Sequence, residues 1–287
     1  MSSSLSYLTT LFNDSFGAGS PLLDAMYGIG GSSAGAANPV QALQSAEQNQ
    51  TQDVKMTALQ PMVKATDAAF TQAVNSAKSM TQLLANPAFM NVLLTANGMQ
   101  DQIGYTALAT KAVTSDLTDP KSLANTLADT RWKTLAQTYD FSSAGLATFK
   151  NPATIASISN AYATATWQAA QDTVTPGLSN ALAFKTKAST ITSVDQILGD
   201  KTMRTVVTTA LGIPEQIAFQ TLNAQETSIS SRVDIKRFQD PKFVEAFVQR
   251  YLIANAANAA TTAAASSTTS SIPDLTSLAV QGQGFFA

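Results

Sequence analysis

The stretch TVVTTALGIPEQI, residues 205–217, decides the fold, because the chain carries nearly the same line as NVLLTANGMQDQI at residues 91–103. In both copies a short apolar segment ends at a glycine, Gly98 in the first and Gly212 in the second. The apolar residues return at three- and four-residue intervals, which indicates helices despite the β-branched residues of TVVTT. Each glycine is predicted to stop its helix in the left-handed conformation.

The residues on either side of these segments match as well. A capping residue precedes each segment, Asn86 in the first copy and Asp200 in the second. An acid, a Gln and an Ile follow each glycine, beginning at Asp101 and at Glu215. Each acid is interpreted as a first-turn residue of a longer helix, where a carboxylate complements the helix dipole. A catalytic pair of acids is the alternative, and the structural interpretation is preferred.

The correspondence continues into a further capped helix, as ADTRWKTLAQTY from Ala128 and QDPKFVEAFVQRY from Gln239. The pattern predicts two copies of one helical unit, at residues 86–140 and 200–252. Two copies make a pseudo-repeat rather than a solenoid, which needs at least three.

The fold class is therefore all-α: a pseudo-repeated helical bundle with extended N- and C-terminal arms. The helical domain is predicted to span residues 38–256, with further helices from Pro152 and after Pro176 between the copies. Residues 1–37 are interpreted as a flexible or assembly arm. Residues 257–287 form a low-complexity tail with a terminal apolar cluster, and its Ala-rich beginning is compatible with an extension of the preceding helix.

Charge is scarce and unevenly distributed along the chain. Charged residues make up 13% of the sequence, the net charge is −2, and every Lys and Arg lies between Lys55 and Arg250. This balance gives no electrostatic reason to expect nucleic acid as a partner. No apolar run is long enough to span a membrane, and the first residues lack the basic and apolar regions of a cleaved export signal.

The sequence contains neither His nor Cys. Their absence removes the Ser-His-Asp triad, thiolate chemistry and most zinc sites. The Gly-rich segment YGIGGSSAG, residues 27–35, lacks the preceding strand and the Lys of a phosphate-binding loop. Asp195 and Asp200 are interpreted as helix caps. We therefore predict no catalytic, cofactor-binding or metal-binding residues and expect a protein that is not an enzyme.

The aromatic and basic residues of the domain receive structural interpretations. Core packing is predicted for the large aromatic side chains Trp132, Trp167, Phe243 and Tyr251. A scattered solvent-facing set is predicted for the basic side chains Arg131, Lys133, Lys236, Arg237 and Lys242.

Apolar residues lie near both ends of the chain, and they are candidate assembly contacts. They are Leu5, Leu8, Leu11, Phe12 and Phe16 near the N-terminus and Leu275, Leu278, Phe285 and Phe286 near the C-terminus. Apolar side chains are unsuited to purely solvated tails, which favours segments that order on assembly. Frayed termini are the alternative.

Several segments together resemble an uncharacterised alphaproteobacterial family. They are NPVQALQSAEQNQT, LLANPAFMNVLLTANG, LADTRWKTLAQTYDF, SISNAYATATWQAA, PGLSNALAF, ILGDKTMRTVVTTALGIPEQIAF and DPKFVEAFVQRYL, spanning about residues 38–256. That family is catalogued as a domain of unknown function, and its genes often lie beside flagellar ones. The resemblance implies an all-helical domain and a flagellar or secretion context, and it supplies no catalytic residues.

The expectation is a structural protein associated with the bacterial flagellum or a related surface filament. It would assemble through helix packing and its terminal arms, as a homo-oligomer or with flagellar axial or filament proteins. The expected location is the extracellular flagellum or cell surface, reached by flagellar export. The alternative is a cytoplasmic adaptor or chaperone-like module for flagellar assembly.

Overall fold

The computed structural model describes residues 38–141 and 145–269, with side chains as far as Thr262. The described residues form α-helices and short 3-10 helices and contain no strand, which confirms the all-α class. Among them, no helix combines the length and the apolar content that crossing a bilayer requires. The two terminal segments with the candidate assembly contacts lie outside the described residues.

The fourteen described α-helices are numbered here in chain order. They are α1 (Pro39–Leu59), α2 (Pro61–Ser76), α3 (Met80–Leu84), α4 (Pro87–Ala96), α5 (Thr106–Val113), α6 (Leu123–Thr126), α7 (Arg131–Tyr139), α8 (Gly145–Lys150), α9 (Pro152–Gln171), α10 (Leu178–Lys187), α11 (Val194–Gly199), α12 (Lys201–Ala210), α13 (Leu222–Ser230) and α14 (Pro241–Thr269). The 3-10 helices are Gln100–Gln102, Ala188–Thr190, Glu215–Phe219 and Ile235–Gln239.

The doubled line of sequence forms two matching helices, α4 and α12. The side chain of Asn86 accepts hydrogen bonds from the first-turn amides of α4, and Asp200 does the same for α12. Each helix ends at its glycine, Gly98 with φ 71° and Gly212 with φ 63°. In both, the amide after the glycine donates back across the last turn at 2.8 Å, from Met99 in the first copy. The predicted caps and stops at these four positions are confirmed.

The acids that follow the glycines lie in short 3-10 helices, which the sequence did not predict. Asp101 and Glu215 each lie in a short 3-10 helix that ends before the next α-helix begins. The helices α5 and α13 start at Thr106 and Leu222. Each acid therefore stands in a first helical turn, as predicted, but that turn belongs to a short 3-10 helix and not to the longer helix that follows. The cap prediction for Asp195 is wrong, since Ser193 caps α11.

The buried side chains divide into two hydrophobic cores, one for each half of the chain. The first core is built from α2 to α5, α7, α8 and the beginning of α9. The second core is built from α10 to α14, with Leu43 and Ala46 of α1 and Trp167 of α9. Helix α9 therefore reaches from one core to the other, with Ile158 and Tyr162 in the first core.

The large aromatic side chains pack in the cores, as predicted. Trp132, Trp167 and Tyr251 are buried, and Phe243 is partly buried against the second core. Each core also contains a cluster of stacked and edge-on rings, which adds to the stabilisation from burial alone. The aromatic residues therefore contribute to the two hydrophobic cores.

The last helix continues past residue 256 into the Ala-rich segment, as expected from the sequence. Helix α14 begins at Pro241 and continues to Thr269, through the Ala-rich beginning of the predicted tail. Its side chains face the second core as far as Leu252, and those at residues 258–262 are exposed. The high helix propensity of Ala accounts for the continuation beyond the packed part.

Candidate functional site: the central cleft

A cleft of about 840 Å³ lies where the two halves of the chain meet. Its walls come from the end of α4, the start of α7, the middle of α9, the length of α10 and the start of α12. Its volume falls within the range of ligand-binding sites in proteins. We call it the central cleft. Most of its side chains are small or uncharged, and the charged ones are Arg131, Lys187 and Asp200.

Arg131 is the best-anchored of these charges, and its exposed fraction is only 7%. Its guanidinium donates to both carboxylate oxygens of Asp129, with distances of 2.9 Å from Nε and 2.7 Å from Nη2. It also donates to both oxygens of Asp101, at 3.0 and 2.9 Å. A further bond from Nη1 reaches the carbonyl oxygen of Gly98 at 2.9 Å.

These contacts use the whole donor set of the side chain, since a guanidinium carries five N–H groups. Arg131 thereby ties the start of α7 to the glycine corner at the end of α4. The prediction that it belongs to a solvent-facing set is wrong. Its partners Gly98 and Asp101 are thirty or more positions away, and only the fold brings them to it.

The ion pairs determine the protonation state of this group. Burial alone would lower the pKa of Arg131, but the hydrogen bonds and charges of Asp129 and Asp101 raise it. Burial likewise favours a higher pKa for Asp101, but the bonds from Arg131 and Gln102 lower it. Both groups are therefore held in their charged forms, which suits a structural ion pair and not a proton donor.

A second ion pair lines the same cleft. The Lys187 amine is 3.4 Å from Asp200, whose exposed side-chain fraction is 9%. The other oxygen of Asp200 accepts the amides of Thr202 and Met203, at 2.8 and 3.2 Å. The carboxylate thus caps α12 and holds a lysine at once, so both of its oxygens are engaged.

Three amide side chains give the cleft its free hydrogen-bonding capacity. Gln50, Gln100 and Gln168 line the cleft, and none of the three side chains forms a hydrogen bond within the described part of the chain. A primary amide both donates and accepts. With the lining charges already paired, the cleft is suited to uncharged polar groups.

The second copy of the repeat lacks the Arg131 network. Glu215, the counterpart of Asp101, is exposed and forms no ion pair with any described residue. Asp129 and Asp240 each accept the backbone amide two positions further on, so Lys242 stands in the position of Arg131. Lys242 is exposed and forms no ion pair with any described residue. The two copies share a backbone scaffold but differ in charge chemistry at this corner.

A different contact lies one position further along the second copy, at Phe243. The guanidinium carbon of Arg237 lies 4.0 Å from the centre of the Phe243 ring, a cation–π arrangement. A nearby lysine, Lys185, contacts the carboxylates of Glu47 and Glu245 and so ties α10 to α1 and α14. The pKa of Lys185 is raised, because these two acids outweigh the opposing effect of burial.

The described residues contain no group of three or more acids placed to hold a metal ion. Every charged side chain lining the central cleft has an opposite charge beside it. The cleft offers amide and hydroxyl groups among small apolar side chains, which suits it to binding uncharged polar groups.

Large apolar side chains are exposed elsewhere on the surface. They are Met56, Leu59, Met62, Ile103, Tyr105, Val174, Phe219 and Leu222. Phe219 is 92% exposed and Tyr105 60%, and the two occupy matching positions of the repeat. Sequence reasoning did not single out these surface positions, since an exposed apolar residue and a core residue have the same letter in the sequence.

Two of the comparisons with known proteins give matches. A family profile described as "Protein of unknown function (DUF1217)" matches residues 96–244, more than half of the chain. A crystal structure of an Agrobacterium tumefaciens protein, solved as a structural genomics target, has a similar fold with a TM-score of 0.65 and 26% identity. The match covers 75% of this chain and 91% of that one. No curated protein matches the sequence.

Proposed function

The chain belongs to the DUF1217 family of proteins of unknown function, and we propose that it is a non-enzymatic structural protein of the bacterial flagellum or of a related surface filament. It assembles through contacts between its helical body and its terminal segments, as a homo-oligomer or with filament proteins. The helical body serves as a rigid support, and its exposed surfaces form the assembly contacts.

The observation that carries this proposal is the distribution of apolar residues outside the cores. Both terminal segments contain apolar residues and no Lys or Arg. The body adds exposed apolar side chains, with Met56 60% and Met62 78% exposed. Exposed apolar groups that cluster on a surface mark places where another polypeptide binds.

The charge network of the body supports the same proposal. The basic side chains join separate helices or support a helix start. Arg131 ties α7 to the segment after α4, Lys185 ties α10 to α1, and Lys187 pairs with the cap of α12. Their hydrogen bonds and ion pairs are of the kind that fixes helices in place. The flagellar part of the proposal rests on the family resemblance, and the lack of cysteine in this sequence fits an exported assembly protein.

The test is where the protein is found. An epitope-tagged copy is expressed in its native host, and the culture medium, sheared filaments, washed cells and cytosol are probed with the tag antibody. We expect the protein in the sheared filament fraction, and its loss from that fraction when flagellar export is blocked. A cytosolic marker controls for lysis. Protein confined to the cytosol would overturn the proposal.

A cytoplasmic binding module for flagellar assembly is the second candidate. The central cleft favours it, because Gln50, Gln100 and Gln168 present free amides to any polypeptide that enters. The same fractionation separates the two, since this candidate keeps the protein in the cytosol. Binding of a filament protein there, lost when Gln168 is changed to Leu, supports the module.

A further inference from the structure

Three of the exposed apolar side chains lie within seven positions of one another, at the junction of α1 and α2. Met56 and Leu59 stand three positions apart in the last turns of α1, so they share a face of that helix. Met62 follows in the first turn of α2. Their exposed fractions are 60%, 56% and 78%. We call Met56, Leu59 and Met62 the junction patch.

The backbone holds the junction patch in a fixed conformation. Gln60 is extended, with φ −61° and ψ 139°, and its amide donates to the carbonyl of Thr57 at 3.0 Å. Its own carbonyl accepts the amide of Lys64 at 2.9 Å. Thr57 and Val63, the sequence neighbours of Met56 and Met62, are buried and anchor the turn. The backbone of the junction is therefore already in place before a partner binds.

The patch is flanked by positive charge. Lys55 and Lys64 are exposed, and neither forms an ion pair with any of the described residues. The nearest acids in the sequence are Asp53, which is partly buried, and Asp67, which accepts a hydrogen bond from Ser159 of α9. The surface thus combines adaptable apolar side chains, two of them methionines, with unpaired ammonium groups.

The chain itself contains a segment of complementary chemistry at its N-terminus. Residues 1–37 carry no Lys or Arg and two acids, Asp14 and Asp24. Four of the six large apolar and aromatic residues of LSYLTTLFNDSF, namely Leu5, Leu8, Phe12 and Phe16, recur at three- and four-residue intervals. That spacing is typical of a ligand that presents one apolar face as a helix.

We propose that the junction patch of one copy binds the N-terminal segment of a second copy. Leu5, Leu8 and Phe12 cover the methionines and the leucine of the patch, and Asp14 approaches the flanking lysines. This inference rests on the proposed assembly function and names the surface that receives one terminal arm. Because each copy both gives an arm and receives one, the contact is heterologous and extends a chain of copies unless it closes into a ring.

The first experiment compares full-length variants for association. Sedimentation velocity is recorded over a concentration series for the wild type and for Met56→Ser/Leu59→Ser/Met62→Ser. The matched control is Ile103→Ser/Tyr105→Ser/Phe219→Ser, which removes an equal number of exposed apolar side chains elsewhere. We expect about hundredfold weaker association for the junction variant, from about 1 kcal/mol for each lost contact. The control should associate as the wild type does, and circular dichroism should be unchanged in both.

The second experiment identifies the arm. A photo-crosslinking amino acid replaces Met62 in a ¹⁵N-labelled full-length copy, which is mixed with unlabelled protein and irradiated. Mass spectrometry is expected to find crosslinks from position 62 to unlabelled peptides within residues 1–37. Crosslinks only to labelled peptides of the same copy, or to other surfaces, overturn the proposal. So does a junction variant that associates as tightly as the wild type.

The two proposals fail in different ways. If the wild-type chain associates and is exported, and the junction variant associates equally well, only the inference about the patch is overturned. A wild-type chain that stays monomeric at every concentration and remains in the cytosol overturns both.

Discussion

The backbone amide of Thr130 donates a hydrogen bond to the carbonyl oxygen of Gly199 at 3.1 Å. This bond joins the residue before α7, in the first copy, to the last residue of α11, just before the second copy begins. The approach is so close that a Cβ atom on Gly199 would lie 2.6 Å from Thr130 Cγ2 and 2.8 Å from the carbonyl oxygen of Ala128. The two halves touch here through backbone, and a side chain at position 199 would separate them.

Gly199→Ala should therefore destabilise the protein by about 1–3 kcal/mol, the usual cost of overpacking a close contact. Urea unfolding followed by circular dichroism measures the change. Thr130→Ala in the Gly199→Ala background should recover part of the loss, because the clash with Ala128 remains. Wild-type stability in the single variant would contradict the close approach.

The paired glycine stops give a second prediction. Gly98→Ala and Gly212→Ala should each cost about 1–2 kcal/mol, since an L-residue is strained at positive φ. Space is not the cause, because a Cβ atom at Gly212 meets nothing within 4 Å. Gly→Asn at the same positions should cost less, as Asn tolerates this conformation. Equal stability of the alanine and glycine forms, measured by thermal unfolding, would argue against the shared corner.

Removing the buried guanidinium should be more damaging than removing an exposed one. Arg131→Met should cost about 3 kcal/mol, because it leaves Asp101 and Asp129 side by side without their shared partner. Arg232→Met is the control, since Arg232 is exposed and bonds only to Ser228 within the described residues. Its effect should stay within about 0.5 kcal/mol. Similar unfolding midpoints for the two variants would contradict the structural role of Arg131.

The same network predicts a dependence on pH. The pKa of Asp101 is lowered in the folded protein, because its bonds to Arg131 and Gln102 outweigh burial. Its contribution to stability is therefore fully present above the ordinary value of 3.8 and is lost as the pH falls through the lowered pKa. The stability difference between wild type and Asp101→Asn should shrink as the pH is lowered below that value. Urea unfolding at about pH 6 and about pH 3 checks this, and a constant difference would exclude it.

Local signals in the sequence were sufficient for much of the fold. Asn86 and Asp200 before an apolar run, and Gly98 and Gly212 after it, fix where two helices start and stop, because capping depends on residues a few positions apart. The short 3-10 helices at Asp101 and Glu215 carry no comparable signal, so an acid before a periodic run was interpreted as a helix start.

The central cleft could not be predicted in the same way, because it depends on contacts between distant segments. Asp129 stands two positions before Arg131, and that spacing was the one local hint of an ion pair. Asp101 and the carbonyl of Gly98 reach the same guanidinium only after α4 and α7 have packed together. Burial of the arginine follows from that packing and not from its neighbours in sequence.

Helix α9 couples the unfolding of the two cores. Its first half contributes Ile158 to one core, and Trp167 from its second half belongs to the other. These residues are about 14 Å apart on a single rod, at 1.5 Å of rise for each residue. Neither core can release this helix without exposing apolar surface in its neighbour. The duplicated halves should therefore melt as one cooperative unit, with a single calorimetric transition, even though each has its own interior.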